Sequence, residues 1–183
     1  MDYGGSWGFE TEPKLRSYKM KIILSISGFI IILLTSSCYA DVTGTVVDAE
    51  TGKPIEGAVV LVEWTKTRGL PGMTHTEPYK VVEVVSDKNG NVTLASVLDP
   101  LVNPPRMTVY KKGYVAWNNE NIFPNWENRK DFRWIEGLVI KLAPFKNEYS
   151  RTDHIYFLHT ITHWGKKINE AYHWEELEAE KQK

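Results

Sequence analysis

A change of hydrophobic period at Ser150 is the feature that most constrains how this chain can fold. Between residues 42 and 142, apolar and β-branched side chains form short runs that are separated by turns rich in Gly, Pro and Asn, a pattern typical of strands. After Ser150 the apolar residues recur at helical spacing, as Ile155, Leu158, Ile161, Ile168 and Tyr172. The sequence therefore predicts a mainly β fold, an antiparallel β-sandwich of about seven strands with a C-terminal helical appendage.

The turn residues set the expected limits of these elements. Strands are predicted over residues 42–48, 55–64, 80–86, 91–95, 106–111 and 114–118, and within 132–142. Two glycines and two prolines predict a long loop over 65–79, and Asn89-Gly90 predicts a hairpin turn. In the tail we expect Ser150 to cap a first helix and Gly165 to divide it from a second one, whose residues 175–183 should fray. The apolar stripe of the tail should dock on a sheet face or cover an edge.

The residues before the β-sandwich follow one another as the three parts of a secretory signal peptide do. A basic start at Met20-Lys21 is followed by a nearly uninterrupted apolar run, Ile22–Leu34, and by small residues up to Ala40. That order is typical of a signal peptide, and the run is shorter than the roughly 20 residues of a spanning helix. We therefore expect export with cleavage after Ala40 and a true start at Met20; the alternative is a long targeting region before the signal. The predicted organisation is a spurious or disordered extension (1–19), a signal peptide (20–40), the β-sandwich (41–145) and the helical tail (146–183).

Cys38 is the only cysteine in the chain. It allows a second interpretation, because Leu34-Thr-Ser-Ser-Cys38 is similar to a lipoprotein box in which the cysteine is lipidated, although Thr35 departs from that pattern. The protein is then either periplasmic or secreted, or a membrane-anchored lipoprotein. Residues after Ala40 contain no cysteine, nearly balanced charges and no basic stretch. We therefore expect no nucleic-acid partner, and membrane contact only through the signal or a lipid.

Three segments of the predicted β-sandwich match a family pattern in order. These are Gly44–Val60, which contains the turn Thr51-Gly-Lys-Pro54, then Ser86–Leu94, and finally Val109–Tyr114. They resemble carboxypeptidase regulatory-like domains, which are transthyretin-like sandwiches attached to many bacterial envelope proteins. The resemblance implies a fold and an envelope setting. Because the matching residues are turns and core, it implies no reactive site.

Enzymes related to that family use residues that this chain lacks. The transthyretin-like hydrolases of purine breakdown have an early histidine and a C-terminal Tyr-Arg-Gly-Ser motif, whereas the last predicted strand here ends in Lys141-Leu-Ala-Pro144. No nucleophile elbow, phosphate loop or carboxylate pair stands out either. We therefore predict a non-enzymatic protein with no catalytic residues and no cofactor.

Aromatic side chains are concentrated between residues 117 and 134. Trp117, Phe123, Trp126 and Trp134 are interleaved with amide and charged residues, and such a surface can bind a sugar ring or a peptide by stacking and hydrogen bonding. The competing interpretation is that these rings pack the end of the sandwich or seat the helix, because Trp is usually well buried. As a ligand site, the four residues predict contact with a glycan or with another envelope protein.

Four of the five histidines lie in the helical tail. His159 and His163 are four residues apart, a spacing that zinc sites use, but Thr160 stands where the catalytic motif has Glu and no third ligand is evident. We predict no metal site. The leading hypothesis is a binding or structural envelope module; the alternative is a hydrolase or metal-dependent enzyme that uses the tail histidines. That enzyme requires His159, His163 and a carboxylate such as Asp153 or Glu170 in one cleft.

Overall fold

The structure is a computed structural model, and it describes residues 41–180 together with the single positions 1 and 4. Residues Ala40–Lys183 form one compact unit. The predictions of an N-terminal extension, a signal peptide, cleavage after Ala40 and lipidation of Cys38 lie outside the described residues.

The described residues form nine strands and two helices. The strands are β1 (Val42–Asp48), β2 (Val59–Leu70), β3 (Met73–Val85), β4 (Asn91–Leu94), β5 (Arg106–Tyr110), β6 (Trp117–Asn118), β7 (Asn121–Ile122), β8 (Glu127–Asn128) and β9 (Leu138–Leu142). The helices are α1 (Arg151–Ile161) and α2 (Lys166–Glu180). A mainly β chain with a helical C-terminal part confirms the predicted fold class.

Two sheets face each other across a hydrophobic core. One has the strand order β4-β1-β9 and the other β3-β2-β5-β6, while β7 and β8 form a separate small hairpin. The predicted hairpin at Asn89-Gly90 is wrong, because this turn leads from β3 in one sheet to β4 in the other. Val46, Val60, Val109 and Ile140 are fully buried between the sheets. The pairings are antiparallel except for that of β1 with β9, which is parallel. Parallel strands are joined by long connections rather than by a hairpin, so local turn signals do not reveal this pairing.

The predicted loop over 65–79 is wrong, because these residues form a hairpin. β2 and β3 stay paired up to the turn at Pro71-Gly72. Gly72 has a φ of +86°, and a Pro-Gly pair suits a two-residue turn whose second residue needs positive φ. Every residue of Thr67–Thr76 is exposed, so this segment, here called the arm, extends roughly 15 Å from the sandwich.

The two helices dock on the outer face of the second sheet. Gly165 lies between them, as predicted, and the Ser150 hydroxyl accepts the Asp153 N–H (3.2 Å) at the start of α1. The prediction of fraying from residue 175 is wrong, because α2 continues to Glu180 and Glu175 is buried. Neither helix of the described part of the chain is long and apolar enough to cross a membrane. A second core joins the helices to β2 and β5, and its members include Val59, Leu61, Tyr110, Phe157, Leu158, Ile161, Ile168 and Tyr172.

Candidate functional site

Two of the four aromatic residues predicted to bind a ligand belong to the sandwich. Trp117 is only 8% exposed and lies in the core between the sheets. Trp134 is half-buried and packs edge-on against Trp64 at the base of the arm, with ring centroids 6.0 Å apart. Phe132 contacts both Trp117 and Trp134. These rings fill the sandwich near the arm, and the prediction that Trp117 offers a stacking face to a ligand is therefore corrected.

The other two aromatic residues seat α1. Phe123 is buried, and its ring lies 5.6 Å from that of Phe157. Trp126 packs at 4.9 Å against the same Phe157 ring and stays 38% exposed. The prediction of Phe123 as a ligand contact is corrected by its burial under the helix. The segment does not form a contiguous stacking surface, and the packing interpretation describes it.

A buried hydrogen-bonded network, which the sequence analysis missed, joins both helices to the sheet. His154 of α1 and Glu175 of α2 are buried, and His154 Nδ1 lies 2.7 Å from Glu175 Oε2. The Ala116 N–H donates to His154 Nε2 (2.8 Å), so Nδ1 carries the proton and donates to the carboxylate. The Tyr110 hydroxyl donates to Glu175 Oε1 (2.9 Å) and accepts the Trp174 indole N–H (2.7 Å). Burial is the main cause that raises the pKa of Tyr110, which keeps this hydroxyl a donor.

The structure places the predicted histidine pair in two different environments. α1 ends two residues before His163, so His159 and His163 do not share a helical face. His159 Nε2 lies 2.8 Å from one oxygen of Glu176, and His173 Nδ1 lies 2.7 Å from the other. The hydrogen bond from His173 is the main cause that lowers the pKa of Glu176. Among the described residues, no group of three His, Cys, Asp or Glu side chains is arranged to hold a metal ion.

Two carboxylates on adjacent strands hold the segment between the helices. Glu63 Oε1 on β2 accepts the N–H groups of His163 (3.1 Å) and Trp164 (2.9 Å). Glu83 on β3 accepts the first three N–H groups of α2, at 2.9 to 3.1 Å. These helix N–H groups have no partner within the helix, and a carboxylate also suits the positive end of its dipole. Glu83 therefore caps α2 from a strand that is distant in sequence.

Gly165 permits this close approach of the chain to the sheet. A Cβ at this position would lie 2.6 Å from Ile168 Cγ2, 2.8 Å from Leu61 Cδ2 and 3.0 Å from Glu83 Oε1. There is no room for a side chain, so glycine is required here by close packing rather than by its backbone angles.

A polar cleft of about 560 Å³ opens beside Glu63, and Arg106, Glu120 and His163 also line it. Arg106 Nε lies 3.1 Å from Glu120 Oε2, and its Nη1 lies 3.2 Å from His163 Nδ1. Glu63 Oε2 is buried without a hydrogen-bond partner in the described part of the chain, 3.9 Å from His163 Nδ1. An unpaired buried acceptor is costly, so this cleft favours a ligand group or a water that donates a hydrogen bond.

Several chain segments meet at one end of the sandwich, which we call the loop end. β1 begins there at Val42, beside the end of β4. The connection from β4 to β5 is tied to the base of the arm, because the Asn103 N–H donates to the Thr65 carbonyl (2.8 Å). The segment before β9 is tied to β1 by the Gly137 N–H, which donates to the Thr43 carbonyl (3.1 Å). The arm, this connection and the segment before β9 are therefore neighbours.

Large aliphatic side chains are exposed on all three of these segments. They are Leu70 (73% exposed) and Met73 (80%) on the arm, Leu98 (57%) and Leu101 (77%) on the connection, and Ile135 (56%) before β9. An exposed apolar side chain is ordinary when it stands alone. A concentration of them at one end of a folded domain is typical of an interaction surface.

Comparisons with known proteins give a distant structural likeness. No family model and no curated protein sequence matches the chain. A crystal structure of the shaft pilin SpaA from Lactobacillus rhamnosus GG, in a mutant form, is similar with 17% identity and a TM-score of 0.34. The likeness covers 58% of this chain and 48% of that pilin, so the chain spans about half of the pilin's length. Similarity of this degree identifies no family.

Proposed function

We propose that this chain is a non-enzymatic module of the cell envelope that works by contact through its loop end. The observation that carries the proposal is the set of five exposed aliphatic side chains at that end. The partner is an apolar surface of the envelope, either a protein or the membrane. A glycan suits the loop end less well, because sugar rings are bound by flat aromatic faces with polar neighbours, and Trp117 and Phe123 are buried.

Export and family membership belong to the same proposal. The signal-like segment 20–40 supports export, and the three matching segments support a divergent carboxypeptidase regulatory-like domain. The second of these segments makes a turn in which Asp87 Oδ1 accepts the N–H groups of Asn89 and Asn91, both at 2.8 Å. Such local capping explains why Asp and Asn suit this kind of turn.

Fractionation and intact mass of the protein, expressed in a bacterial host from Met20, test the export step. We expect either a species that begins at Asp41 in the periplasmic or secreted fraction, or a diacylglyceryl species that begins at Cys38 in the membrane fraction. Unprocessed protein in the cytoplasm would contradict an envelope function.

Photo-crosslinking in the same cells tests contact through the loop end. A photoreactive amino acid is placed at Leu70 or Leu101, and at Tyr156 as a matched control, because Tyr156 is 66% exposed on α1, away from the loop end. We expect envelope adducts, either protein or lipid, from the two loop-end positions only. The same adducts from Tyr156, or none from any position, would contradict the proposed function.

The alternative of a hydrolase retains one specific observation, the unpaired Glu63 Oε2 beside His163 in the polar cleft. In that function Glu63 acts as a general base, and a water between Glu63 Oε2 and His163 Nδ1, which lie 3.9 Å apart, would connect the two groups. Hydrolysis of a panel of chromogenic esters and peptides, which Glu63→Gln abolishes and Glu120→Gln does not, would establish this alternative. Under the leading proposal we expect no turnover by either protein.

A further inference from the structure

We propose that the loop end rests on the surface of a lipid bilayer, with the tip of the arm inserted into the interfacial layer. This inference depends on the proposed function and names its partner. It rests on the three exposed loop segments, on the place where the chain enters the sandwich and on the charge at this end.

The arm has the shape that shallow insertion needs. Leu70 and Met73 flank the turn at its tip, and both are more than 70% exposed. Half of the backbone polar groups of the two strands pair across the hairpin, while those on its two outer edges stay open to water or lipid headgroups. The arm therefore suits the hydrated interfacial layer and not the hydrocarbon core. An apolar tip that reaches about 5–10 Å into the headgroup boundary is the usual depth of interfacial binding.

The place where the chain enters the β-sandwich supports a membrane at this end. Asp41, the first residue of the continuous described segment, precedes β1 at the loop end. In the sequence Cys38 precedes Asp41 by three residues, and three residues of any chain span at most roughly 10 Å. A lipid on Cys38 would therefore hold this end, and no other, against the bilayer. If cleavage follows Ala40 instead, the five aliphatic side chains would have to provide the attachment themselves.

Two cations of β2 at the arm are each paired with a carboxylate, which favours apolar insertion of the arm over attraction to anionic lipids. Lys66 pairs with Asp99 and Arg68 pairs with Glu77, each at 2.7 Å. These cations are already neutralised, so no basic cluster faces outwards from the arm. We therefore expect binding that changes little between low salt and about 0.5 M salt, because screening acts on charge and not on apolar contact.

The test is flotation of residues 41–183 with vesicles. This segment is the expected cleavage product without a lipid, and it contains both hydrophobic cores; a cooperative unfolding transition confirms that it is folded before use. Vesicles of phosphatidylcholine alone, and of phosphatidylethanolamine with phosphatidylglycerol, are compared at low and high salt. We expect the protein to float with both compositions and at both salt concentrations.

A double variant and a matched control locate the contact. Leu70→Ser with Met73→Ser should reduce the bound fraction by about tenfold or more, because two of the five aliphatic groups are lost. Val85→Ser with Leu177→Ser removes two aliphatic side chains that are 50% and 47% exposed, one at the opposite end of β3 from the arm and the other on α2. This control should float like the unaltered protein.

Three results would overturn the membrane inference. The first is that the unaltered protein does not float, and the second is that the control variant loses as much vesicle binding as the double variant. The third is that the unaltered protein is a dimer in solution and that the double variant, Leu70→Ser with Met73→Ser, is a monomer. If the protein does not float but Leu70 still crosslinks to an envelope protein in cells, the proposed function stands and the bilayer is the wrong partner. If neither experiment gives contact at the loop end, both proposals are wrong.

Discussion

The helix-covered face of the second sheet and the loop end treat their side chains in opposite ways. On the helix-covered face, even ionisable groups are buried, and His154 and Glu175 satisfy each other at 2.7 Å. At the loop end, the aliphatic side chains that would normally be buried are exposed, up to 80% for Met73. In the first region polar groups bond to one another inside the domain, whereas in the second region apolar groups face outwards.

This difference shows where to look for function in the domain. A buried polar group is stable only when it has partners, so the His154 network and the Glu83 cap fix the helices in one position. The burial of His154 is therefore explained by its structural contacts with Ala116 and Glu175. The exposed apolar groups of the loop end have no internal partners of this kind, which is why our proposed function is placed there.

The largest expected effect comes from removing the centre of the buried network. Glu175→Ala leaves the His154 N–H and the Tyr110 hydroxyl unpaired in a buried site, and we expect the free energy of unfolding to fall by about 3–5 kcal/mol. Urea denaturation measures the change. Glu170→Ala is the control, because Glu170 is exposed and makes only a 3.9 Å pair with Lys166. Equal losses in the two variants would show that the network does not hold the helices.

A smaller loss is expected where the chain between the helices meets the sheet. Gly165→Ala puts a Cβ within 3.0 Å of side-chain atoms of three residues, and relief requires α2 to move outwards at a cost of about 1–3 kcal/mol. Denaturation followed by near-ultraviolet circular dichroism should show both the lower stability and a changed signal from Trp164. If Gly165→Ala is as stable as the unaltered protein, then α2 is not pressed against β2 and β3.

The regular part of the fold was predictable from sequence because its signals are local. Ser150 marked the start of α1 and Asn89-Gly90 marked a tight turn, each through the conformational preference of one or two residues. That turn joins strands of different sheets and not the two strands of a hairpin, and Gly165 separates the helices because close packing leaves no room for a side chain. The arm was misjudged because Pro71-Gly72 was interpreted as part of a loop, although the same pair suits a tight turn inside a long hairpin. A paired-strand pattern on both sides of that turn, from Thr65 and back to Tyr79, was the available signal.

The site was less predictable because its contacts join residues that are distant in sequence. Glu83 caps a helix that begins more than eighty residues later, and no local pattern marks a strand carboxylate as a cap. Trp117 is buried between the two sheets and Phe123 under α1. Their burial depends on how the segment 117–134 packs in three dimensions, which no local pattern reveals. Charge at Glu175 suggested a solvent-exposed end of the helix, whereas a partner on α1 buried it.

A modest pH effect is expected where the two helices meet on their outer side. The pKa of Glu176 is lowered mainly by the hydrogen bond from His173, so its contribution to stability is present above its ordinary pKa and is lost as the pH falls through the lowered value. The group is partly exposed, so we expect less than about 1 kcal/mol after screening. Unfolding free energies at pH 6 and below pH 4 should therefore differ more for the unaltered protein than for Glu176→Gln. Parallel pH profiles for the two proteins would contradict this assignment.

The smallest expected effect on stability is at the loop end. It tests directly whether the loop end differs from the helix-covered face in its contribution to folding. Leu70→Ser with Met73→Ser alters side chains that are exposed in the folded domain and in the unfolded chain alike, so little apolar burial is lost on folding. We expect a change of no more than about 0.5 kcal/mol in the free energy of unfolding, measured with residues 41–183 in urea. Together with loss of vesicle binding, that result would show that these side chains serve contact rather than folding. An ordinary substitution lowers the free energy of unfolding by about 1 kcal/mol. A loss of about 2 kcal/mol or more would therefore mean that the arm packs on the domain and is not free to bind.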